Sequence, residues 1–247
     1  MAALIVNLEC ITNMHVGNGD VNYNVIDNEV ERDVVTGYPT IHASGVKGAL
    51  REYFVRSGIG KELIKDIFGE EYAGKTTAGK LRILNADMLA MPVRASAGAN
   101  AYYMITTQNA IEKYKEKCEL FLCEEFEMNI FDVKDSRQAE GINLEEAVCI
   151  AKKGFLEKEL HIISDEEFRK ISLPVLARNK LNNGKSENLW YEEVVPHKSL
   201  FSFSVLSEDI DKELLASFKN TIDDKIVQFG GNASIGYGLC KVSVVEV

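Results

Sequence analysis

Two clusters of residues in this 247-residue chain have the types and spacing needed to hold phosphate. Ser44, Lys47 and Arg51 lie at i, i+3 and i+7, so on a helix they share one face and begin at its amino end. Unpaired N–H groups and the positive end of the helix dipole favour an anion there, and Gly45 and Gly48 remove bulk where a ligand backbone would approach. Ser44 is the expected N-cap. The second cluster is GGNASIGYG, Gly230 to Gly238, with four glycines in nine positions. Such a loop can turn successive backbone N–H groups toward one anion, which makes Gly230, Gly231, Asn232, Ser234 and Gly236 candidate phosphate contacts. The Walker A order is absent, and a glycine loop between two predicted strands is no dinucleotide fingerprint. As isolated patterns, the two clusters also fit an ordinary capped helix with a solvated basic face and a flexible hairpin turn.

Two further groups have chemistry in reach. Asp27, in NVIDNEVERD, could bind a divalent metal or orient a ribose 2′-hydroxyl, and His15, in MHVGNGD, could serve as a general base near neutral pH. Most loop aspartates are merely solvated, and a histidine at a strand end is commonly structural. In RNKLNNGKSENLWYEEVVP, Arg178, Lys180 and Lys185 share a predicted hairpin with Trp190 and Tyr191. Cations and aromatic rings on a protruding ribbon suit wedging between bases, although Trp190 and Tyr191 could equally anchor the base of the hairpin in the core.

Composition limits what these groups can do. A chain that is 46% hydrophobic can bury a large core, and its apolar start, Met1 to Val6, is too short to span a membrane and lacks the marks of a secretory signal, so a cytoplasmic protein is expected. Five cysteines without regular spacing fit reduced, buried thiols; Cys118, Cys123, Cys149 and His161 contain no CxxC pair to support zinc. The net charge of −10 argues against indiscriminate nucleic-acid binding. The acids are concentrated from Glu112 to Glu146, however, which leaves room for a local basic stripe.

The elements that must position these groups are legible from periodicity. Ala3 to Thr12 reads as a strand, and the polar stretch Asn13 to Gly37 as a long loop. Val46, Ala49, Leu50, Tyr53 and Phe54 form the apolar stripe of a helix. Gly60 to Phe68 predicts a second helix, KLRILNADML and Ala101 to Thr107 strands, Asn109 to Lys117 a helix, Gly154 to Ile162 an extended segment and Asp165 to Ile171 a helix; the acidic middle has no clear period. Leu176 to Val195 predicts a hairpin turning at Asn183-Gly184. Strand Ser199 to Leu206, with Phe201 and Phe203 toward the core, precedes a helix over Glu208 to Ile222 with Ile210, Leu214, Phe218 and Ile222 along one face. Strands Ile226 to Phe229 and Leu239 to Val245 close the chain. Two β-α-β units around insertions predict an α+β fold with a ferredoxin-like (RRM-type) core, a single domain over 1–247 with an insertion at about 108–153.

In this order, the pieces resemble the RAMP superfamily of CRISPR-associated proteins, and within it the backbone subunits of Cmr (type III-B) complexes. The resemblance is carried by HVGNGDVNYNVIDNEVERDVVTGYPTIHASGVKGALRE, NADMLAMPVRA, LWYEEVVP and FGGNASIGYGLCKV, and it spans nearly the whole chain. Csm backbone subunits share much of this pattern; LWYEE points to Cmr. HASG stands where the family carries a PGSS-like turn.

The resemblance implies a subunit that stacks in several copies along a CRISPR RNA, with other type III effector subunits, and cleaves complementary target RNA at regular intervals. It places Asp27 as the catalytic, metal-assisting carboxylate with Mg²⁺ or Mn²⁺ as cofactor. Ser44, Lys47, Arg51 and Gly230 to Gly236 become guide contacts. The hairpin at about 175–196, with Arg178, Lys180, Trp190 and Tyr191, becomes a thumb that flips nucleotides. Rival readings are a purely structural backbone subunit with an inert Asp27, and a CRISPR repeat-processing endoribonuclease using His15 as base.

Overall fold

A computed structural model describes residues 2–19, 25–72, 74–122, 129–149, 158–207 and 211–245. Strand β1 (Ala2–Cys10) leads through an irregular segment to β2 (Thr40–Ile41), α1 (Ala43–Arg56), α2 (Lys61–Phe68) and a hairpin of β3 (Gly69–Tyr72) and β4 (Lys75–Ala78). Next come β5 (Leu81–Ile83), β6 (Ala86–Ala97), β7 (Tyr102–Thr107) and α3 (Gln108–Leu122). The acidic middle supplies β8 (Asn129–Asp132), β9 (Gln138–Ala139), β10 (Ile142–Asn143) and β11 (Glu146–Cys149), followed by β12 (Glu159–Ile163) and α4 (Asp165–Lys170). The chain ends with β13 (Val175–Asn182), β14 (Lys185–Glu193), β15 (Leu200–Ser207), α5 (Lys212–Ile222), β16 (Ile226–Gln228), a 3₁₀ turn at Ala233–Ile235 and β17 (Leu239–Val245). Cys123, residues 154–157 of the expected extended segment and the expected helix start at 208–210, with Ile210, lie outside the described residues.

One large sheet runs β16-β17-β1-β15-β6-β7-β12-β11-β8, with β5 also paired to β15. β12 joins β7 in parallel, while β1 pairs antiparallel with both β15 and β17. Side chains alternate across a strand, so each strand feeds two cores. Leu4, Val6 and Leu8 of β1 and Phe201, Phe203 and Val205 of β15 bury with Val46, Leu50 and Phe54 of α1 and Phe218 of α5. Phe54 stacks on Phe218 at 5.6 Å and meets Phe68 edge-on at 5.2 Å. Burial of each such phenylalanine stabilises the fold by roughly 2–3 kcal/mol. On the opposite face Ile5, Leu89, Met104 and Leu200 bury with Ile111, Tyr114, Cys118 and Leu122 of α3. The predicted stripe of α1 and the inward phenylalanines of β15 are thus both found in the core. No helix among the described residues is long and apolar enough to cross a membrane.

Two expectations need correction, and the two meet at one residue. KLRILNADML is not one strand: it breaks between β5 and β6, and at the break Asn85 Oδ1 accepts the Ala43 N–H at 2.8 Å. That bond satisfies the first donor of α1, so Ser44 is not the N-cap; the cap position is His42, whose side chain makes no capping bond, and Ser44 sits one position inside the helix after Ala43. The hairpin β13–β14 forms as predicted, turning at Asn183 (φ 48°) and Gly184 (φ 79°), both left-handed as a type I′ turn requires.

Candidate functional site

The irregular segment after β1 is fastened along the root of the β13–β14 hairpin. Met14 N–H donates to Val195 O at 2.9 Å and Val195 N–H to Met14 O at 2.8 Å; farther on, Glu193 N–H donates to Asn28 O at 2.9 Å. Asp27 is held to Tyr191 twice: its backbone N–H donates to the Tyr191 carbonyl at 3.1 Å, and its Oδ2 accepts the Tyr191 N–H at 2.8 Å. The carboxylate is exposed, and Oδ1 has no partner among the described residues. An acid that sequence places in a loop is therefore a fixed feature of the hairpin's base.

Behind Asp27 lies a buried polar hub built on Glu192, which is 4% exposed. Its Oε2 accepts from Arg178 Nη1 at 2.9 Å, its Oε1 accepts from Asn232 Nδ2 at 2.7 Å, and His15 Nε2 stands 4.0 Å from Oε1. His15 is itself buried, with Nδ1 2.7 Å from the Glu193 carbonyl. A carbonyl only accepts, so Nδ1 carries the proton and the imidazole serves as a pin between the two elements. Glu193, pointing the other way from its neighbour, accepts from Arg32 Nη2 at 2.6 Å and from the Val30 N–H at 3.1 Å.

The glycine loop is seated against the same pin. Gly231 N–H donates to His15 O at 2.8 Å, and a side chain on Gly230 (φ 76°) would place its Cβ 2.3 Å from that oxygen. Gly238 (φ 72°) is just as constrained, since a Cβ there would lie 1.8 Å from Phe229 O. These two glycines are dictated by close backbone approach. Gly236 adopts φ 83° after the 3₁₀ turn, and Ser234 is exposed on it. The Asn232 amide is engaged by Glu192 and so anchors the loop.

The Arg178 guanidinium lies between two rings, 5.5 Å from the Trp190 centroid and 5.7 Å from that of Tyr237. Trp190 is half-buried and Tyr191 is exposed, so neither is a core anchor. From 179 to 189 every described side chain of the ribbon is exposed, and Lys180 pairs with Glu187 at 3.5 Å.

The basic face of α1 is a separate region. Ser44 and Arg51 are exposed and Lys47 is half-buried. None of the three makes a hydrogen bond or ion pair among the described residues, whereas Arg56 on the same helix is paired with Glu52 at 2.7 Å. The structure thus gathers Asp27, His15, Arg178, Asn232 and the glycine loop at one root, and leaves Ser44, Lys47 and Arg51 without side-chain partners among the described residues.

Glu192, Glu193, Arg32 and Tyr237 are the functional neighbours that sequence reasoning missed. A usable signal existed in WYEEVV: adjacent strand residues face opposite sides, so one of two neighbouring acids had to point inward and find partners.

The resemblance also implies a divalent metal. Among the described residues no group of three or more His, Cys, Asp and Glu converges as metal ligands; Cys123, one of the four groups weighed for zinc, lies outside them. One free carboxylate oxygen on Asp27 is too little for a protein-built cage. It does fit Mg²⁺ or Mn²⁺ shared with substrate, because Mg²⁺ is held through one or two carboxylates together with phosphate and water oxygens.

Comparison with known proteins bears on this geometry. The sequence model of the RAMP superfamily matches residues 7–241. The CRISPR system Cmr endoribonuclease Cmr4 of Pyrococcus furiosus is 30% identical over 289 aligned positions, covering 100% of this chain and 97% of that protein. A CMR subunit Cmr4 of Saccharolobus solfataricus is 28% identical over 45% of this chain and 37% of that protein. Among solved structures, a chain of the type III-B Cmr-beta complex bound to cognate target RNA superposes with a TM-score of 0.81 at 22% identity, covering 99% of this chain and 97% of that one. Oligomeric Cmr4 from Pyrococcus furiosus gives 0.71 at 24% identity, covering 100% and 99%. With the superfamily matched almost end to end and a full-length relative at 30% identity, this chain belongs to the RAMP superfamily, in its Cmr4 family.

Proposed function

We propose that this chain is the guide-RNA-binding backbone subunit of a cytoplasmic type III-B CRISPR effector complex, stacked in several copies along a CRISPR RNA and cleaving complementary target RNA at regular intervals. The observation that carries the reading is the exposed Asp27 carboxylate fixed at the root of a projecting hairpin. The full-length relative at 30% identity is named an endoribonuclease, and the fold matches subunits solved with target RNA and as an oligomer. A ferredoxin-like core is supported by the strand order β17-β1-β15-β5 and by α1 and α5 on one face. In that frame β13–β14 is the thumb, which would interrupt the guide–target duplex and unstack a nucleotide beside Asp27.

The chemistry assigned to this site is attack of a ribose 2′-hydroxyl on the adjacent phosphorus, with departure of the 5′-oxygen, which takes a proton from solvent water, and formation of a 2′,3′-cyclic phosphate. Asp27 Oδ1 is the group available to draw the hydroxyl proton, while the bond from Tyr191 N–H to Oδ2 orients the carboxylate. His15, buried and pinned to Glu193, positions the loop rather than acting as base. One carboxylate does not supply acid, base and charge stabilisation together, so in-line geometry imposed by unstacking must contribute. Were the same oxygen of Asp27 to hold a divalent cation instead, that cation would supply charge stabilisation at the phosphate.

Lys47 and Arg51, without ion-pair partners among the described residues, are assigned to guide phosphates, with Ser44 and Ser234 as further polar contacts; the Gly231 N–H is already given to His15. Such contacts hold a guide irrespective of its sequence and leave reading to base pairing. A net charge of −10 is compatible with this because only one groove needs to be basic.

The test is to assemble the chain with its partner subunits on a CRISPR RNA of known sequence and add a labelled complementary target. Evenly spaced cleavage products are expected. Guide binding without any cleavage would leave a structural subunit, and cutting of precursor repeat RNA by the chain alone would favour repeat processing.

A further inference from the structure

We propose that Cys10 and Cys240 form a reversible disulfide modification site that staples the first strand of the sheet to the last. The two Sγ atoms lie 3.7 Å apart, both residues are fully buried, and they are direct register partners on antiparallel β1 and β17. Cys10 N–H donates to Ser199 O at 2.9 Å and its carbonyl accepts from Lys198 N–H, so both backbone groups of Cys10 face the residues that lead into β15. Toward β17 the pair is therefore non-hydrogen-bonded, and the hydrogen-bonded position is the next one, where Ile11 N–H donates to Leu239 O at 2.7 Å. Non-hydrogen-bonded partners bring their Cα atoms to about 4.5 Å, just inside the span that a disulfide can bridge. The bond would be reversed by thiol–disulfide exchange with a reductant.

Peroxide is the oxidant class considered. One thiolate attacks hydrogen peroxide and becomes a sulfenic acid with release of water; the second thiol then attacks that sulfur and expels a second water. Two thiols thereby lose two protons and two electrons, which reduce one peroxide to two waters. The hydrogen bond from Cys240, together with burial, raises the Cys10 thiol well above its ordinary value, so oxidation in the closed fold is slow. The glycine loop ends one residue before Leu239, so oxidation requires local opening that uncovers the pair.

The staple sits at the base of the segment after β1 and of the glycine loop. Gly238 N–H donates to Asn13 O at 2.8 Å, and Leu239 N–H donates to Thr12 Oγ1 at 3.0 Å, immediately beyond the two cysteines. Oxidation would fix that junction and close a covalent loop over almost the whole chain, restricting its unfolded states. The inference is independent of the proposed RNA function.

The experiment treats the purified full-length chain with hydrogen peroxide and reads its mass, its peptide map and its thermal unfolding, before and after dithiothreitol. The expected result is loss of two hydrogens, a peptide pair joining Cys10 to Cys240, and a Tm raised by about 5 °C or more, all reversed by reductant. The triple variant Cys118→Ala, Cys123→Ala, Cys149→Ala should behave the same way, and Cys240→Ala should lose the response. A bond to any other cysteine, over-oxidation of Cys10 or Cys240 without a bond, or unchanged thiols in a chain that stays folded would overturn it.

Discussion

The hairpin root and the first helix use charge in opposite ways. At the root, Glu192 engages Arg178 and Asn232 beside His15, and Glu193 engages Arg32 and the Val30 N–H, all in partly or fully buried surroundings. On α1, Lys47 and Arg51 have no ion-pair partner among the described residues. A buried ion pair is neutralised within the protein, so it fixes geometry and has little left for a ligand. An unpaired cation at the surface contributes little to folding but can release counterions from a nucleic acid. The difference separates scaffold from grip, even though both regions are rich in polar groups.

Substitutions can break or sharpen that division. Glu192→Ala strips Arg178, Asn232 and His15 of a common buried partner and should lower unfolding stability by about 3 kcal/mol or more, read from urea denaturation. A smaller change would mean that the root is not a scaffold. Gly238→Ala forces a methyl group against Phe229 O in a left-handed backbone and should cost about 2 kcal/mol, with the loop and β17 losing hydrogen-exchange protection first. Trp190→Ala removes one of the two rings flanking Arg178 and should cost about 1 kcal/mol, while guide affinity remains unchanged. Lys47→Ala should move stability by less than about 0.5 kcal/mol, yet flatten the salt dependence of guide binding by about one unit in the log–log slope. An unchanged slope would remove Lys47 from the phosphate contacts.

What the sequence revealed follows the range of the interactions involved. The apolar stripe of α1 and the Asn183-Gly184 turn are set by residues a few positions apart, and both formed as read. The cap of α1 was misread because its oxygen comes from Asn85, 42 positions away, and no local rule exposes such a donor–acceptor pair. His15 could be read as a base or as a structural group, and spacing did not decide because its partners, the Glu193 carbonyl and Glu192, are far away in the chain. Asp27 was named from its residue type as one loop acid among many, and family resemblance gave it the catalytic assignment; its attachment to Tyr191 adds a geometry that spacing alone did not contain. The acidic middle resisted reading since its short strands β8 and β11 gain their order by extending the sheet through β12.

The central claim is that Asp27, presented by the hairpin root, acts in cleavage of target RNA. The direct measurement is target cleavage by reconstituted complex carrying Asp27→Asn, with guide content and assembly verified in the same preparation. The amide preserves size and retains an oxygen for the Tyr191 N–H, while removing the negative charge. Cleavage at the regular sites should fall by about 100-fold or more with guide binding intact. Undiminished cutting by an intact assembly would contradict the account.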